Sequence, residues 1–316
     1  MISGEKKQMH TNGQSGQKAS AKGNFFSPRQ AAKAIGVSES SLKRWCDAGL
    51  LNAVKTAGGH RRLRPAEIVA FLKQREQTLQ DPTAIGLPDF EDLSVSDSLD
   101  AKEQLVQSLT NGDESLSKRL LMFLYLNGWE MAELFDQVIA PAFTRIGELW
   151  KTNQLEVYEE RRASEICLDA MREFRSILLP PPDEALVAIG GAIEHDHYAL
   201  PTLAVELTLT SLGWQAQNLG SNLPLDSLLK AATSERPDLM WISVSYVRDT
   251  DSFVPEVNRL AAAMPQETTL VIGGSALNQD CRNRIKHAIC CDNHSQLVAC
   301  VRNLNRNRPA SDPSRI

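Results

Sequence analysis

Five short apolar runs alternate with helical segments between residues 184 and 306, and this alternation limits the fold more than any other feature. Each run is too short for a buried helix, and each crossover is long enough to hold one, which is typical of a doubly wound parallel sheet. The predicted strands are Ala185–Ala192, Gln215–Leu219, Leu239–Val244, Thr269–Ile272 and Lys286–Ile289. The predicted helices are Thr202–Leu212, Pro224–Glu235, Phe253–Met264, Ser275–Asn283 and His294–Arg306.

The loop after the first predicted strand is crowded with ionisable side chains. Glu194, His195, Asp196, His197 and Tyr198 follow one another directly. In open sheets of flavodoxin-like type, ligands bind beyond the carboxyl ends of the strands. The loop is therefore the first candidate ligand site of the chain.

The stretch from residue 99 to 180 has helical apolar spacing and predicts a small four-helix bundle. Short polar breaks separate the helices, and Pro141 should kink or interrupt the third one. The predicted helices cover 99–110, 114–126, 129–150 and 156–178.

The net charge of −5 conceals a division between the two ends of the chain. Residues 1–80 carry 14 Lys and Arg against five Asp and Glu, so the rest of the chain carries −14. A basic end on an acidic body is typical of a nucleic-acid-binding module joined to a sensing or catalytic module. Residues 1–24 and 307–316 are predicted to be disordered, and the acidic residues 81–98 to form a mobile linker.

Composition also limits where the chain works. No apolar run approaches the roughly 20 residues of a membrane span, and residues 1–24 lack the apolar core of a signal peptide. The six cysteines form no CxxC pair, so they indicate reduced thiols that serve packing. We expect a cytoplasmic protein.

Residues 25–80 read as a winged helix-turn-helix. Ser27-Pro28 and Ser38 are helix starts, and Gly36 makes the turn between the two helices. Leu42 and Trp45 should face inward. The predicted elements are helices Pro28–Ala34, Glu39–Ala48 and Pro65–Leu79 and wing strands Leu50–Lys55 and Arg61–Arg64.

The runs SLKRWCDAGLL, TAGGHRR and RPAEI, within about 55 residues, resemble the DNA-binding domain of MerR regulators. The resemblance implies that the second helix enters the major groove, that the wing contacts phosphates or the minor groove, and that the protein binds double-stranded DNA as a dimer. The base-reading candidates are Ser40, Ser41, Lys43 and Arg44. The wing candidates are Lys55, His60, Arg61, Arg62 and Arg64.

Within the bundle, Trp150 is followed by Glu160 and Arg161, which resembles the Trp-x9-Glu-His pattern of light-sensing cobalamin repressors, the CarH group. In that group the Trp and Glu lie against the upper ligand of cobalamin, and the His can bind cobalt. Arg161 replaces the His, and a guanidinium cannot ligate a metal. The alternative is a core Trp150 beside a solvated helix face.

The α/β segment resembles a cobalamin-binding domain, in which an Asp-x-His-x-x-Gly loop supplies the lower cobalt ligand. Aligning on the helix places Asp196 at Asp, Tyr198 at His and Pro201 at Gly, and Pro201 then starts the helix. Aligning on the strand places His197 at His but loses the Asp. We favour the helix register. In this register Tyr198 takes the place of the ligand, and a neutral phenol is a poor donor for cobalt. His195 and His197 could still reach a metal from a flexible loop, so the metal candidate is His197, with Tyr198 as the alternative. Exposed loop histidines without a metal remain open.

The resemblance also assigns the slot that takes the nucleotide tail of cobalamin. Ser243 and Ser245 border it, and Gly273-Gly274 is interpreted as allowing close approach of a bulky ligand. A plain turn at the two glycines is the alternative.

Three functions remain open. The first is a DNA-binding transcription regulator whose cobalamin-binding-like sensor changes its oligomeric state, as a dimer or tetramer, in response to ligand or light. The second is a regulator whose degenerate sensor binds no cobalamin and contacts a partner protein or another ligand. The third, an enzyme, is a corrinoid-dependent methyltransferase or mutase component, and the basic module argues against it.

Overall fold

A computed structural model describes residues 25–306, with side chains to residue 304; the predicted disordered ends lie outside the described residues. The winged helix-turn-helix consists of α1 Pro28–Ile35, α2 Glu39–Asp47, β1 Val54–Lys55, β2 Arg61–Arg62 and α3 Pro65–Lys73. A capping box of Ser27 and Gln30 starts α1, and Gly36 ends it in the left-handed conformation. Leu42 is fully buried, and Trp45 packs on Phe71 with ring centroids 5.0 Å apart.

Three predicted boundaries in this domain are wrong, the first being the return strand of the wing, which ends at Arg62 instead of Arg64. The wing strand is confined to Val54–Lys55, because Leu51 turns into the core instead of continuing the strand. The third helix stops at Lys73, six residues before Leu79.

The acidic segment 81–98 is folded against its neighbours, so the expectation of a mobile linker is wrong. Pro82–Ile85 forms a 3-10 helix, and Ile85 and Leu87 are buried in the same cluster as both flanking domains. Arg119 donates to the Asp89 carbonyl at 2.9 Å and pairs with Asp92. The buried apolar side chains among the acids hold the segment in place.

The bundle has the four predicted helical segments, with one irregularity. Its elements are α4 Ser98–Asn111, α5 Glu114–Leu126, α6 Met131–Glu133, a π-helical segment Leu134–Ile139, α7 Ala140–Lys151 and α8 Val157–Glu173. The third predicted helix is interrupted as expected near Pro141. Proline lacks an N–H and crowds the preceding turn, and the backbone accommodates it by widening to π geometry just before α7.

The α/β domain confirms the predicted doubly wound sheet of flavodoxin-like type. Five parallel strands lie in the order β4-β3-β5-β6-β7. The strands are β3 Val187–Ala192, β4 Gln215–Asn218, β5 Leu239–Ser243, β6 Thr269–Gly273 and β7 Ile289–Cys291. The helices are α9 Ala199–Ser211, α10 Leu225–Glu235, α11 Thr250–Ala263, α12 Gln279–Arg284 and α13 His294–Arg306. In the described part of the chain, no helix is long and apolar enough to cross a membrane.

Helix α9 joins the bundle to the sheet. Leu203 and Leu207 are buried in the bundle cluster, whereas Leu209 is buried in the cluster beneath the sheet. Arg175, just after α8, donates two hydrogen bonds of 2.8 and 2.7 Å to the carboxylate of Glu206 on α9. Such a bidentate pair fixes the angle as well as the distance between the two elements.

The bundle also caps a helix of the α/β domain. Asp136, on the π-helical segment, accepts hydrogen bonds from the backbone N–H groups of His294 and Ser295, each at 2.8 Å, and from the Ser295 hydroxyl at 2.7 Å. The first N–H groups of a helix have no partner within the helix, and a carboxylate satisfies them well. The start of α13 therefore depends on a side chain about 160 positions earlier in the chain.

The winged helix-turn-helix domain is held on the bundle by Lys73 of α3. Its ammonium group donates to the Trp129 carbonyl at 3.0 Å, lies 3.3 Å from the Glu130 carboxylate and sits 4.0 Å from the centroid of the Tyr125 ring. Burial lowers the pKa of Lys73, and Glu130 partly offsets that effect. A desolvated cation with three partners orients the domain.

Replacing Asp136 with Ala should loosen the join between bundle and sheet. Loss of a capping side chain costs about 0.5–2 kcal/mol, and the freed N–H groups would exchange with solvent. We expect a lower free energy of unfolding and faster amide hydrogen exchange at residues 294–297. Asp169→Ala removes an exposed acid that pairs with Arg172 on the same helix and serves as the control. Equal exchange in both variants would contradict the capping role.

The join should also weaken in acid. The half-buried His294 forms a hydrogen bond with Thr208 through Nδ1 at 2.9 Å, and its ring packs on that of Phe135. Desolvation lowers the pKa of His294 to about 4, although the negative charge of Asp136 opposes the shift. The unfolded chain binds the proton more readily, so this contribution to stability is present above about pH 6.5 and is lost as the pH falls towards 4. The unfolding midpoint of His294→Asn should change less with pH over that range than that of the wild type. Parallel profiles would refute the assignment.

Candidate functional site

The outer face of α2 carries the predicted base-reading side chains. Ser40, Lys43 and Arg44 are exposed. Lys43 pairs with Glu39 one turn earlier at 2.7 Å, and Arg44 donates to the Ser41 hydroxyl at 3.2 Å. Ser41 is less free than predicted, because it is half-buried and its hydroxyl also lies 2.9 Å from that of the N-cap Ser38. Three of the four candidates thus reach solvent.

The wing places its cations beside this helix. Lys55, His60 and Arg64 are exposed, and Arg62 is half-buried. Arg61 pairs with Asp47 at the end of α2, so the wing is tied to the recognition helix before any ligand arrives. A wing and helix held in one arrangement can contact groove and backbone together.

In the loop after β3, Asp196 is completely buried and holds two strand ends together. Its side chain is 0% exposed. Its carboxylate accepts from the backbone N–H groups of Tyr198 at 3.0 Å, Ser245 at 2.5 Å and Tyr246 at 3.3 Å. Three donors satisfy this buried carboxylate without a metal. Asp196 is a structural anchor between the β3 and β5 loops.

The other predicted residues of this loop face outward. His195 and His197 are exposed, and Tyr198 is 46% exposed at the start of α9. Helix α9 begins at Ala199, so Pro201 lies within its first turn instead of starting it. Within the described residues, no group of three or more His, Cys, Asp or Glu side chains could hold a metal ion.

The bundle residues of the predicted cofactor site differ in exposure. Trp150, near the end of α7, is 46% exposed, which excludes the alternative of a core aromatic. Glu160 is mostly covered; Ser164 donates to it at 3.4 Å, and Arg161 lies 3.5 Å away. Trp150 can therefore stack on a flat ligand.

The interpretation of Gly273-Gly274 is wrong in its physical reason. A Cβ at Gly274 would collide with the backbone of Val244, and one at Gly273 with the Cys291 carbonyl. The close approach that requires glycine is made by the chain's own strands. Ser243 is buried beside this pair, in register with Gly273, and Ser245 is half-buried.

A buried network that the sequence analysis missed lies below Ser243. The indole N–H of Trp241 donates to the Thr202 hydroxyl at 3.0 Å, and Thr202 donates to the Asn218 side chain at 3.1 Å. Trp241 is 1% exposed. Its position inside an apolar strand gave no signal, because such a residue is usually core.

Comparison with known proteins identifies two domains. Residues 25–76 match the helix-turn-helix domain family, and residues 101–174, the bundle, match the B12 binding domain family. The chain is 26% identical over 142 residues to the HTH-type transcriptional repressor CarH of Myxococcus xanthus, which covers 45% of this chain and 47% of that protein. It thus spans about half of CarH. It is 23% identical over 266 residues to the repressor CarA of the same organism, covering 78% of this chain and 85% of CarA.

Among solved structures, the monomethylamine corrinoid protein of Methanosarcina barkeri superposes with a TM-score of 0.55 at 14% identity. The match covers 66% of this chain and all of that protein. This likeness confirms the combined architecture of helical bundle and parallel sheet.

The residues present fit the ring of a corrinoid better than its nucleotide tail. Trp150 of the bundle and Tyr198 of the loop are both exposed aromatic side chains, which can stack on a flat ring. Next to Ser243 on the same strand, the Trp241 side chain is 1% exposed, and a Cβ at Gly190 of β3 would collide with the Trp241 carbonyl and ring.

Replacing Asp196 with Asn should destabilise the α/β domain. An amide cannot accept from three N–H groups, and its own NH₂ would face donors, at a cost of about 1–3 kcal/mol. We expect a lower midpoint in urea with an unchanged slope. Asp183→Asn, at an exposed position, is the matched control. If both variants unfold like the wild type, Asp196 does not anchor the loops.

Proposed function

We propose that this chain, which carries a helix-turn-helix domain and a B12 binding domain, is a DNA-binding transcription regulator governed by its sensor region. The observation that carries the proposal is the packing of the two domains in one hydrophobic cluster. The cluster includes Leu42 of the helix-turn-helix domain, called the reader below, and Leu121 of the bundle. A change in the bundle therefore acts on the reader through a packed interface.

The charge of the DNA-binding domain supports the DNA partner. Lys43, Arg44 and Lys55 are exposed cations on the face that carries α2 and the wing. Phosphate contacts of this kind supply affinity that falls with salt, whereas base contacts supply specificity. Operator sequences with two-fold symmetry suit the dimeric binding that such domains use.

The sensor part of the proposal is a corrinoid site formed by the bundle and the loop after β3. Trp150 and Glu160 would contact the upper face of the ring, and the loop around His197 and Tyr198 would lie at its lower face. The corrinoid would supply a large light-absorbing ring, and its presence would favour one arrangement of bundle and loop. A ligand can shift such an equilibrium only by binding one arrangement more tightly.

Self-association would convert this change into a change in DNA binding. Between α3 and α4 the described chain contains no long helix that could form a coiled coil, so dimer or tetramer contacts fall to the bundle and the α/β domain. Linking two readers raises the effective concentration of the second at the operator. A repressor or an activator could use the same device.

A second candidate function has its own supporting observation. Val157 and Tyr158, at the start of α8, are large apolar side chains that are mostly exposed. A partner protein that covers them would make the sensor a contact surface that needs no corrinoid. A methyltransferase component is disfavoured, since nothing in that role requires a basic reader on the bundle.

Substitution of wing arginines tests the DNA-binding assignment. Arg62→Ala should weaken binding in a gel-shift assay and should reduce the slope of log affinity against log salt by about 1, the loss of one phosphate contact. Arg61→Ala should weaken binding less, because Asp47 already neutralises part of that charge.

Lys286→Ala removes an exposed lysine of the α/β domain and is the matched control for charge. It should leave the salt slope unchanged. A wild-type slope in both arginine variants would contradict the wing assignment.

A further inference from the structure

We infer that the α/β domain accepts a corrinoid with its nucleotide tail outside the sheet, so that no protein imidazole replaces the corrinoid's own base on the lower face. The inference rests on the proposed function, because it requires the sensor to bind a corrinoid. Its evidence is separate and comes from how this chain fills the interior of its own sheet.

The depth below Ser243 is occupied by an indole ring. Trp241 and Ser243 are two positions apart on β5 and point to the same face, about 6.6 Å from each other. The ring of Trp241 lies against Gly190 of the neighbouring strand β3, where a Cβ would collide with it. A nucleotide base that entered beside Ser243 would clash with the Trp241 ring.

Hydrogen bonds hold the Trp241 indole in its position. Its N–H is satisfied by Thr202 of α9, and Thr202 is tied to Asn218 of β4. The Asn218 side chain also accepts from the Gly220 backbone N–H at 2.9 Å. Moving the ring would break a buried hydrogen-bond chain that spans a helix and two strands.

The apolar surroundings of the ring are equally complete. Trp241 belongs to the buried cluster between the sheet and α13, with Trp214, Leu297 and Val301 among its members. Closely packed interiors of this kind leave no space for an additional aromatic ring. The Trp241 side chain therefore closes the slot from below.

The lower face also lacks an oriented histidine. A metal-binding histidine usually donates its second ring N–H to a carboxylate, which sets the tautomer and the direction of the ring. The one buried carboxylate of this loop, Asp196, is engaged by three backbone N–H groups. His197 lies exposed beside it, and Tyr198 occupies the position that the favoured register gives to the ligand.

The binding mode can be read directly from the spectrum of the full-length protein. Methylcobalamin would be bound in the dark, desalted and scanned at neutral pH. We expect the absorbance of cobalamin with its own base attached. The spectrum of the base-detached form would overturn the inference and would leave the proposed function intact.

A second measurement compares methylcobalamin with methylcobinamide, which lacks the nucleotide. Affinities within about threefold of each other are expected if the tail lies outside the protein, whereas cobinamide binding weaker by about tenfold or more would refute it. If the protein retains neither compound, the sensor part of the proposed function fails together with the inference. The gel-shift result still stands on its own in that case.

A double variant tests the two residues named. Trp241→Gly with Tyr198→His opens the slot and supplies an imidazole, and bound methylcobalamin should shift towards the base-detached spectrum. Trp241→Phe with Tyr198→His keeps the slot filled and should retain the wild-type spectrum. A base-detached spectrum in this control would contradict the role of Trp241. The wild-type measurements decide the inference even if the glycine variant does not fold.

Discussion

Helix α9 must be buried on two sides at once, and the arrangement of the bundle and the sheet depends on this constraint. Leu203 and Leu207 face the bundle, and Leu209 packs beneath the sheet. A helix with two apolar faces has little surface for polar groups, so each buried polar side chain needs a partner from another element. Thr202 forms a hydrogen bond with Trp241, Glu206 with Arg175, and Thr208 with His294. The Glu206–Arg175 pair joins α9 to the bundle, whereas the other two hydrogen bonds hold α9 within its own α/β domain.

Local signals in the sequence predicted most of the fold. Capping residues marked the starts of α1 and α2, and apolar periodicity predicted the bundle and five strands. The last strand was misplaced, since it was predicted at Lys286–Ile289 and lies at Ile289–Cys291. The packing of residues 81–98 was missed, because acidic composition outweighed Ile85 and Leu87 in the interpretation. Contacts between distant segments, such as Asp136 with α13, leave no trace in either segment alone. Such partners become visible only when the fold is known.

The candidate site was predicted unevenly for a similar reason. Exposure of the cations on α2 and the wing follows from helix and hairpin geometry, so the surface was predictable. The loop after β3 drew attention by its ionisable residues, yet the one that matters most to the structure, Asp196, is buried by backbone donors that the sequence does not reveal. The role of Trp241 was not predicted, because nothing in an apolar strand distinguishes a residue with a buried hydrogen bond from an ordinary core residue.

For the proposed DNA-binding regulator, the packed segment 81–98 and the Lys73 contact would limit which operators can be bound. A reader on a loose tether would tolerate many distances between two half-sites. A reader fixed to its bundle presents its recognition helix in one direction, so two such readers in an assembly face DNA with a defined rotation between them. B-DNA turns once in about 10–10.5 base pairs, so the helical phase between half-sites matters to such an assembly as much as their separation. Half-sites displaced by half a turn would lie on opposite sides of the duplex, beyond the reach of the second reader.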